Sequence, residues 1–140
     1  MSVEIREHYH FLKKQANMSF LPGVPVAEIE AFEIKNGFEL PKQFKEWLMI
    51  SDGGELYLPA GIQLYGVTHK PLIDVDEDDR PNMDYVIIGA LATGDPILFE
   101  KGKEQISIYN HDAGRIEEDE IYTDFSSFLN DLPAILGLEV

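Results

Sequence analysis

The chain has no cysteine among its 140 residues. Disulfides, thiolate nucleophiles and thiolate metal ligands are therefore excluded together, and the composition suits a reducing compartment. Long apolar runs are missing as well. No stretch approaches the roughly 18 apolar residues of a membrane span, and Met1-Ser2-Val3-Glu4-Ile5-Arg6-Glu7 has no apolar signal core. A soluble, cytoplasmic protein with no membrane contact is expected. Basic residues are scarce too: 11 Lys and Arg stand against 26 Asp and Glu, a formal net charge of −15. The imbalance lies in the second part of the chain. Residues 1–50 hold 6 basic and 7 acidic side chains, whereas residues 51–140 hold 5 and 19. Nucleic-acid binding rests on neutralising phosphates, so direct contact with DNA or RNA is not expected. The same field attracts a basic partner, although acidity also serves solubility alone.

What is present is enough for a core. A hydrophobic fraction of 44% with 11% aromatics argues against disorder, and a chain of this length suits one domain without disulfide or metal support.

Periodicity divides the chain into two parts. Val3, Ile5, Tyr9 and Leu12 mark an amphipathic helix from residue 3 to about 16, and Phe20-Leu21-Pro22-Gly23-Val24-Pro25 breaks it. A second helix runs from about Val26 to Lys35, with Ile29, Phe32 and the Glu33-Ile34 pair as its inner stripe, and stops at Asn36-Gly37. Leu40-Pro41 opens a third, carrying Phe44, Trp47 and Leu48 at i, i+3 and i+4; Ser51-Asp52-Gly53-Gly54 ends it. Short strands then follow at 56–58, 62–65, 85–88, 96–99 and 106–109, separated by turn residues. Arg115 to Tyr122 reads either as one more strand or, through Glu117-Glu118-Asp119-Glu120, as an exposed turn. Phe125 to Leu132 forms a closing helix capped by Thr123 or Asp124, with Pro133 kinking or ending it. Helices, then a meander, then a helix is an α+β order.

No motif for catalysis or metal binding emerges. Gly89-Ala90-Leu91-Ala92-Thr93-Gly94 lacks the spacing of a phosphate loop, and no serine lies in a Gly-x-Ser-x-Gly elbow. The run from Asp74 has the start of a calcium loop, but Asp79 occupies the position that needs glycine and Tyr85 the position that needs glutamate. His8 and His10, two residues apart, face different sides of a helix. His69 and His111, with Asp112 beside the latter, could meet only through the fold; surface or hydrogen-bonded histidines are expected. Trp47 reads as a core residue, with a binding anchor as the alternative. The paired glycines Gly53-Gly54 imply a left-handed or crowded backbone, and Gly94-Asp95-Pro96 a tight entry into a strand.

In order and spacing these features resemble the SUKH superfamily, named for Syd, herpesviral US-type proteins and the yeast Knr-type cell-wall regulator. The resemblance rests on Glu33, Gly37-Phe38-Glu39-Leu40-Pro41, Phe44-Lys45-Glu46-Trp47-Leu48 and Asp52-Gly53-Gly54. A second block adds Ile88-Gly89, Gly94-Asp95, Ile97-Leu98-Phe99, Ile108-Tyr109 and His111-Asp112, and the closing Phe125-Ser126-Ser127-Phe128-Leu129 is similar to the family's final helix. It covers about residues 26–137, within one domain of residues 1–140 whose first 25 residues are a helix and loop. The resemblance implies a curved, mostly antiparallel sheet flanked by helices, no catalytic role and no cofactor. It further implies a protein-binding module: a bacterial immunity protein neutralising a cognate toxin, often a nuclease, or else an intracellular adaptor of the Smi/Knr type. A basic toxin domain is the expected partner. The Pro71 to Asp84 loop is unusually acidic for the family, and contact residues do not transfer between members. From the charge itself, Asp74, Asp76, Glu77, Asp78 and Asp79, with Glu117, Glu118, Asp119 and Glu120, are the candidate partner-binding residues.

Overall fold

The computed structural model describes residues 3–15, 17–59 and 61–137. Three helices lead: α1 (Val3–Lys13), α2 (Val26–Asn36) and α3 (Lys42–Ile50). Six strands follow, β1 (Gly54–Leu56), β2 (Ile62–Leu64), β3 (Tyr85–Leu91), β4 (Pro96–Glu100), β5 (Ile106–Asn110) and β6 (Arg115–Tyr122). Two short helices close the chain, α4 (Phe125–Asn130) and α5 (Leu132–Ile135). Each strand pairs antiparallel with its neighbours in sequence, giving one open sheet in the order β1-β2-β3-β4-β5-β6. The α+β architecture read from the sequence is the observed one.

The helices and one face of the sheet enclose the core. Phe44, Trp47 and Leu48 of α3 are fully buried, and they meet Ile5 and Leu12 of α1, Ile29 of α2, and Phe125, Phe128 and Leu129 of α4. Val86, Ile88, Ile97, Phe99, Ile106 and Ile108 supply the sheet side. Trp47 is the hub, with the rings of Tyr9, Phe20 and Phe125 all centred within 6.2 Å of it. That burial settles its role as core rather than anchor. At roughly 25 cal/mol per Å² of buried apolar surface, this aromatic group is a large share of the folding drive.

Local differences from the sequence reading have physical causes. Strand β1 stops at Leu56 rather than continuing to Leu58, since Tyr57 adopts a positive φ of 59°. Ile34 does not join the inner stripe of α2 and is 83% exposed; Ile29 is buried and Phe32 half-buried. The described part of α1 ends at Lys13; Ala16 and the side chain of Val3 lie outside the described residues. The closing helix is two pieces, broken at Asp131, with Pro133 in the first turn of α5 where its missing N–H costs nothing. Asp124 is the cap, its Oδ1 accepting from the Ser127 N–H at 2.8 Å.

The acidic run of β6 turns out to be both strand and bulge. Arg115, Ile116, Ile121 and Tyr122 pair with β5, but residues 117–120 lie opposite Ile108 alone. The charged residues therefore drop out of the ladder on an edge strand. A charged bulge at this position discourages edge-to-edge association.

His8 lies between α1 and α4, its Nε2 2.9 Å from the Ser126 Oγ. Burial lowers its pKa below the ordinary 6.5, against the opposing pull of Glu4, Glu7 and Asp124. A lowered value means the unfolded chain binds the proton more readily, so this contribution is complete above pH 6.5 and is lost as pH falls through the folded value. The urea midpoint should therefore drop between pH 7 and pH 5.5. His8→Asn should flatten that part of the profile; an unchanged slope would exclude His8 as its source.

Candidate functional site

The Asp-Gly-Gly sequence that ends α3 forms a buried clasp. Asp52 is fully buried, and its carboxylate accepts the backbone N–H groups of Val67 at 2.8 Å, Thr68 at 2.8 Å and His69 at 2.7 Å. The His69 Nδ1 lies 3.0 Å from the same carboxylate. One side chain thus holds the whole turn after β2. The next residue binds back into the core: the Gly53 carbonyl accepts from Trp47 Nε1 at 3.0 Å and from the Ser51 hydroxyl at 2.8 Å. Gly53 and Gly54 take φ of 96° and 124°, which accounts for the paired glycines.

The other singled-out motif residues have similar duties. Glu33 accepts the Leu40 N–H at 2.7 Å and pairs with Lys45 at 3.3 Å, holding the buried Leu40-Pro41 corner in place. Gly94, at φ 98°, turns the chain from β3 into β4, and Asp95 accepts the His111 N–H at 3.2 Å while bonding its ring Nδ1. His69 and His111 do not come together; each is held by its own carboxylate. Among the described residues no three His, Asp or Glu side chains are arranged to hold a metal ion.

Part of the first acidic run lies on the face of the sheet turned away from the helices. Alternation along β3 and β4 sends Ile87 and Leu98 to that face, where both are buried apart from the main core. The loop between β2 and β3 folds over it. Asp74, Glu77 and Asp79 line a groove of about 190 Å³ floored by Ile87, Gly89, Ala90 and Pro96. Asp76 and Asp78 are exposed on the loop, which is braced internally by Asp74 Oδ1 on the Asp76 N–H at 2.9 Å and Glu77 Oε1 on the Asp78 N–H at 3.0 Å. Burial, followed by Glu77, pushes the Tyr65 hydroxyl above its usual value.

Asp79 of the first acidic run and Glu120 of the second, about forty residues apart, both lie near the Asp95–His111 pair. The hydrogen bond to Asp95 chiefly raises the His111 pKa, against a smaller opposing effect of desolvation, with the charges of Asp112, Asp95 and Asp79 adding to the rise. Burial, then Asp119, Asp95 and Glu117, raises the Glu120 carboxyl. Glu117 is paired with Arg115 at 3.0 Å, and Glu118 and Asp119 are exposed. What sequence reasoning missed is the duty of Asp52 and its partner His69. A carboxylate placed just before a helix-ending Gly-Gly was the available signal.

A helical layer on one face of an open antiparallel meander, with an Asp-Gly-Gly clasp at their junction, defines an α+β module of a single six-stranded sheet. The family model described as SMI1 / KNR4 family (SUKH-1) matches residues 23–131, and the chain belongs to that family. No curated protein matches it. No helix among the described residues is long and apolar enough to cross a membrane.

Proposed function

We propose that this chain is an immunity protein that binds the basic catalytic domain of a toxin, in particular a nuclease, and covers its active site. The observation that supports this reading is the closeness of Asp79, Asp95 and Glu120, from separate parts of the chain, around His111. A nuclease cleft must be positive to hold phosphates, so an acidic face competes with its substrate for the same cations. The family supplies the setting, since its members are immunity-type or Smi/Knr-type proteins. The reading involves no cofactor and no catalytic step of the chain's own.

The test is association kinetics with the toxin domain encoded beside this gene, at two salt concentrations. Replacing the nine carboxylates of Asp74, Asp76, Glu77, Asp78, Asp79, Glu117, Glu118, Asp119 and Glu120 by their amides keeps volume nearly constant, and at exposed sites should cost little stability. Peripheral charge acts mainly on the rate of encounter. We expect k_on at low salt to fall by about tenfold or more, its salt dependence to flatten, and dissociation to change less. Equal rates and equal salt slopes would assign these residues to solubility alone. A neighbourhood without a toxin gene, together with a different intracellular partner, would favour the adaptor role.

A further inference from the structure

A second, larger groove lies on the other side of the acidic loop. It has a volume of about 590 Å³ and runs between α2 and the segment 66–76. An apolar strip runs along it, Ala31 and Phe32 on the helix side and Val67, Leu72 and Val75 on the loop side, with Asn36 and Thr68 as neutral polar neighbours. Leu72 is 44% exposed, so its side chain is accessible from the groove. The rim carries Glu28 from α2 and Asp74 and Asp76 from the loop, with Lys35 as the one cation lining it.

The groove is built before any partner arrives. The Asp52 carboxylate holds the backbone of residues 67–69, and the Thr68 hydroxyl donates to Glu28 at 2.6 Å, tying the loop wall to the helix wall. Gly66 and Ile73 close the segment on itself, with the Ile73 N–H bonded to the Gly66 carbonyl at 3.0 Å and the Gly66 N–H to the Pro71 carbonyl at 3.0 Å. A preformed apolar trough loses little entropy when filled. Its acidic rim selects what fills it. An anionic lipid surface or nucleic acid is repelled, and a purely polar basic chain leaves the apolar walls wet.

We infer that this groove docks a basic amphipathic segment of the partner, its apolar side chains on Phe32, Leu72 and Val75 and its Lys or Arg side chains on Glu28, Asp74 and Asp76. The inference rests on the basic-partner reading and adds the apolar anchor that charge alone does not supply. It divides the acidic loop into two tasks, steering from its outer carboxylates and docking along its Asp74–Asp76 edge. Buried apolar contacts slow dissociation, whereas peripheral charge speeds encounter.

The test uses two defined probes on the isotope-labelled full chain: heptalysine, and a 14-residue helical peptide of leucine and lysine with matched charge. The leucine-containing peptide should bind at least about tenfold more tightly and shift the amide signals of Phe32, Val67, Leu72 and Val75. Leu72→Ser should bring its affinity down to that of heptalysine, while Ile34→Ser, an exposed aliphatic outside the groove, should leave it unchanged. Equal affinities for the two peptides in the wild-type chain, or shifts confined to the far side of the loop, overturn the docking groove while leaving the basic-partner reading intact. Failure of both peptides to bind overturns that reading and the groove with it. The comparison between peptides needs no variant, so it stands even if Leu72→Ser folds poorly.

Discussion

Asp52→Ala is expected to lower stability by about 3–5 kcal/mol, the largest effect of any single polar substitution in this chain. Alanine introduces no strain, so the loss comes from the missing acceptors, with a smaller share from the void left by the carboxylate. Three backbone N–H groups, those of Val67, Thr68 and His69, lose their acceptor together with the His69 ring. Val67 and His69 in that turn are half-buried, so water replaces the lost acceptor only in part. For a protein of this size the loss corresponds to a fall of about 10 °C in melting temperature. Asp52→Asn is the informative companion. One amide oxygen can still accept, but the Nδ2 group faces donors, so an intermediate loss is expected. Thermal unfolding of the three proteins checks this; an Asn variant as stable as wild type would mean that one oxygen suffices. Because Asp52 shapes the wall carrying Val67, the Asn variant should also loosen the groove beside α2, seen as faster amide exchange at residues 67–69.

Replacing either glycine of the pair is expected to be nearly as damaging, through the backbone rather than through charge. Gly54 holds φ at 124°, a conformation that L side chains rarely adopt, and a Cβ there would lie 3.0 Å from the Ser19 carbonyl. That carbonyl accepts the Glu55 N–H at 2.8 Å in the bridge joining residue 19 to β1, so it cannot retreat without losing the bridge. Gly53 is tighter still: a Cβ would stand 2.5 Å from the Leu64 carbonyl. Gly54→Val should cost about 3 kcal/mol or more, combining conformational strain with the backbone shift. Gly53→Ala should cost a comparable amount, since even one methyl group meets backbone. Melting temperatures within a degree or two of wild type for both variants would refute the backbone argument. Gly37 is the control. It also has a positive φ, of 74°, but a Cβ there meets nothing within 4 Å, so Gly37→Ala should cost only the conformational share of about 1 kcal/mol.

Which parts were legible follows from the range of the forces involved. The helix periodicity of Phe44, Trp47 and Leu48 and a cap at Thr123 or Asp124 act within a turn or two, and the sequence displays them directly, leaving the structure to choose Asp124. The meander was legible for a related reason. From β3 onward antiparallel neighbours are joined by short turns and need no distant information, and the order β1 to β6 is simply chain order; only the β2–β3 connection, residues 65–84, is long. Ile34 was misread because an aliphatic residue at a helical spacing does not say how wide the buried stripe is. The neighbouring elements decide that, and here they cover Ile29 and leave Ile34 in water.

Composition and spacing by themselves determined the α+β class, the missing thiol chemistry and the acidic second part of the chain, while the family entered as a resemblance of motifs that the family model then matched. Tertiary structure decided where the charge goes and what the motif does. Asp79 and Glu120 are far apart in sequence, yet both lie in the field around Asp95 and His111 because the hairpin turns of the sheet end on one side. The register of β6, which leaves residues 117–120 opposite Ile108 alone, depends on pairing with β5 and cannot be seen in the run itself. Asp52 likewise has no partner within ten residues; those at 67–69 reach it only after β1 and β2 have paired. Local propensities are written residue by residue, whereas a buried carboxylate's partners and a shared electrostatic field exist only once distant segments are brought together.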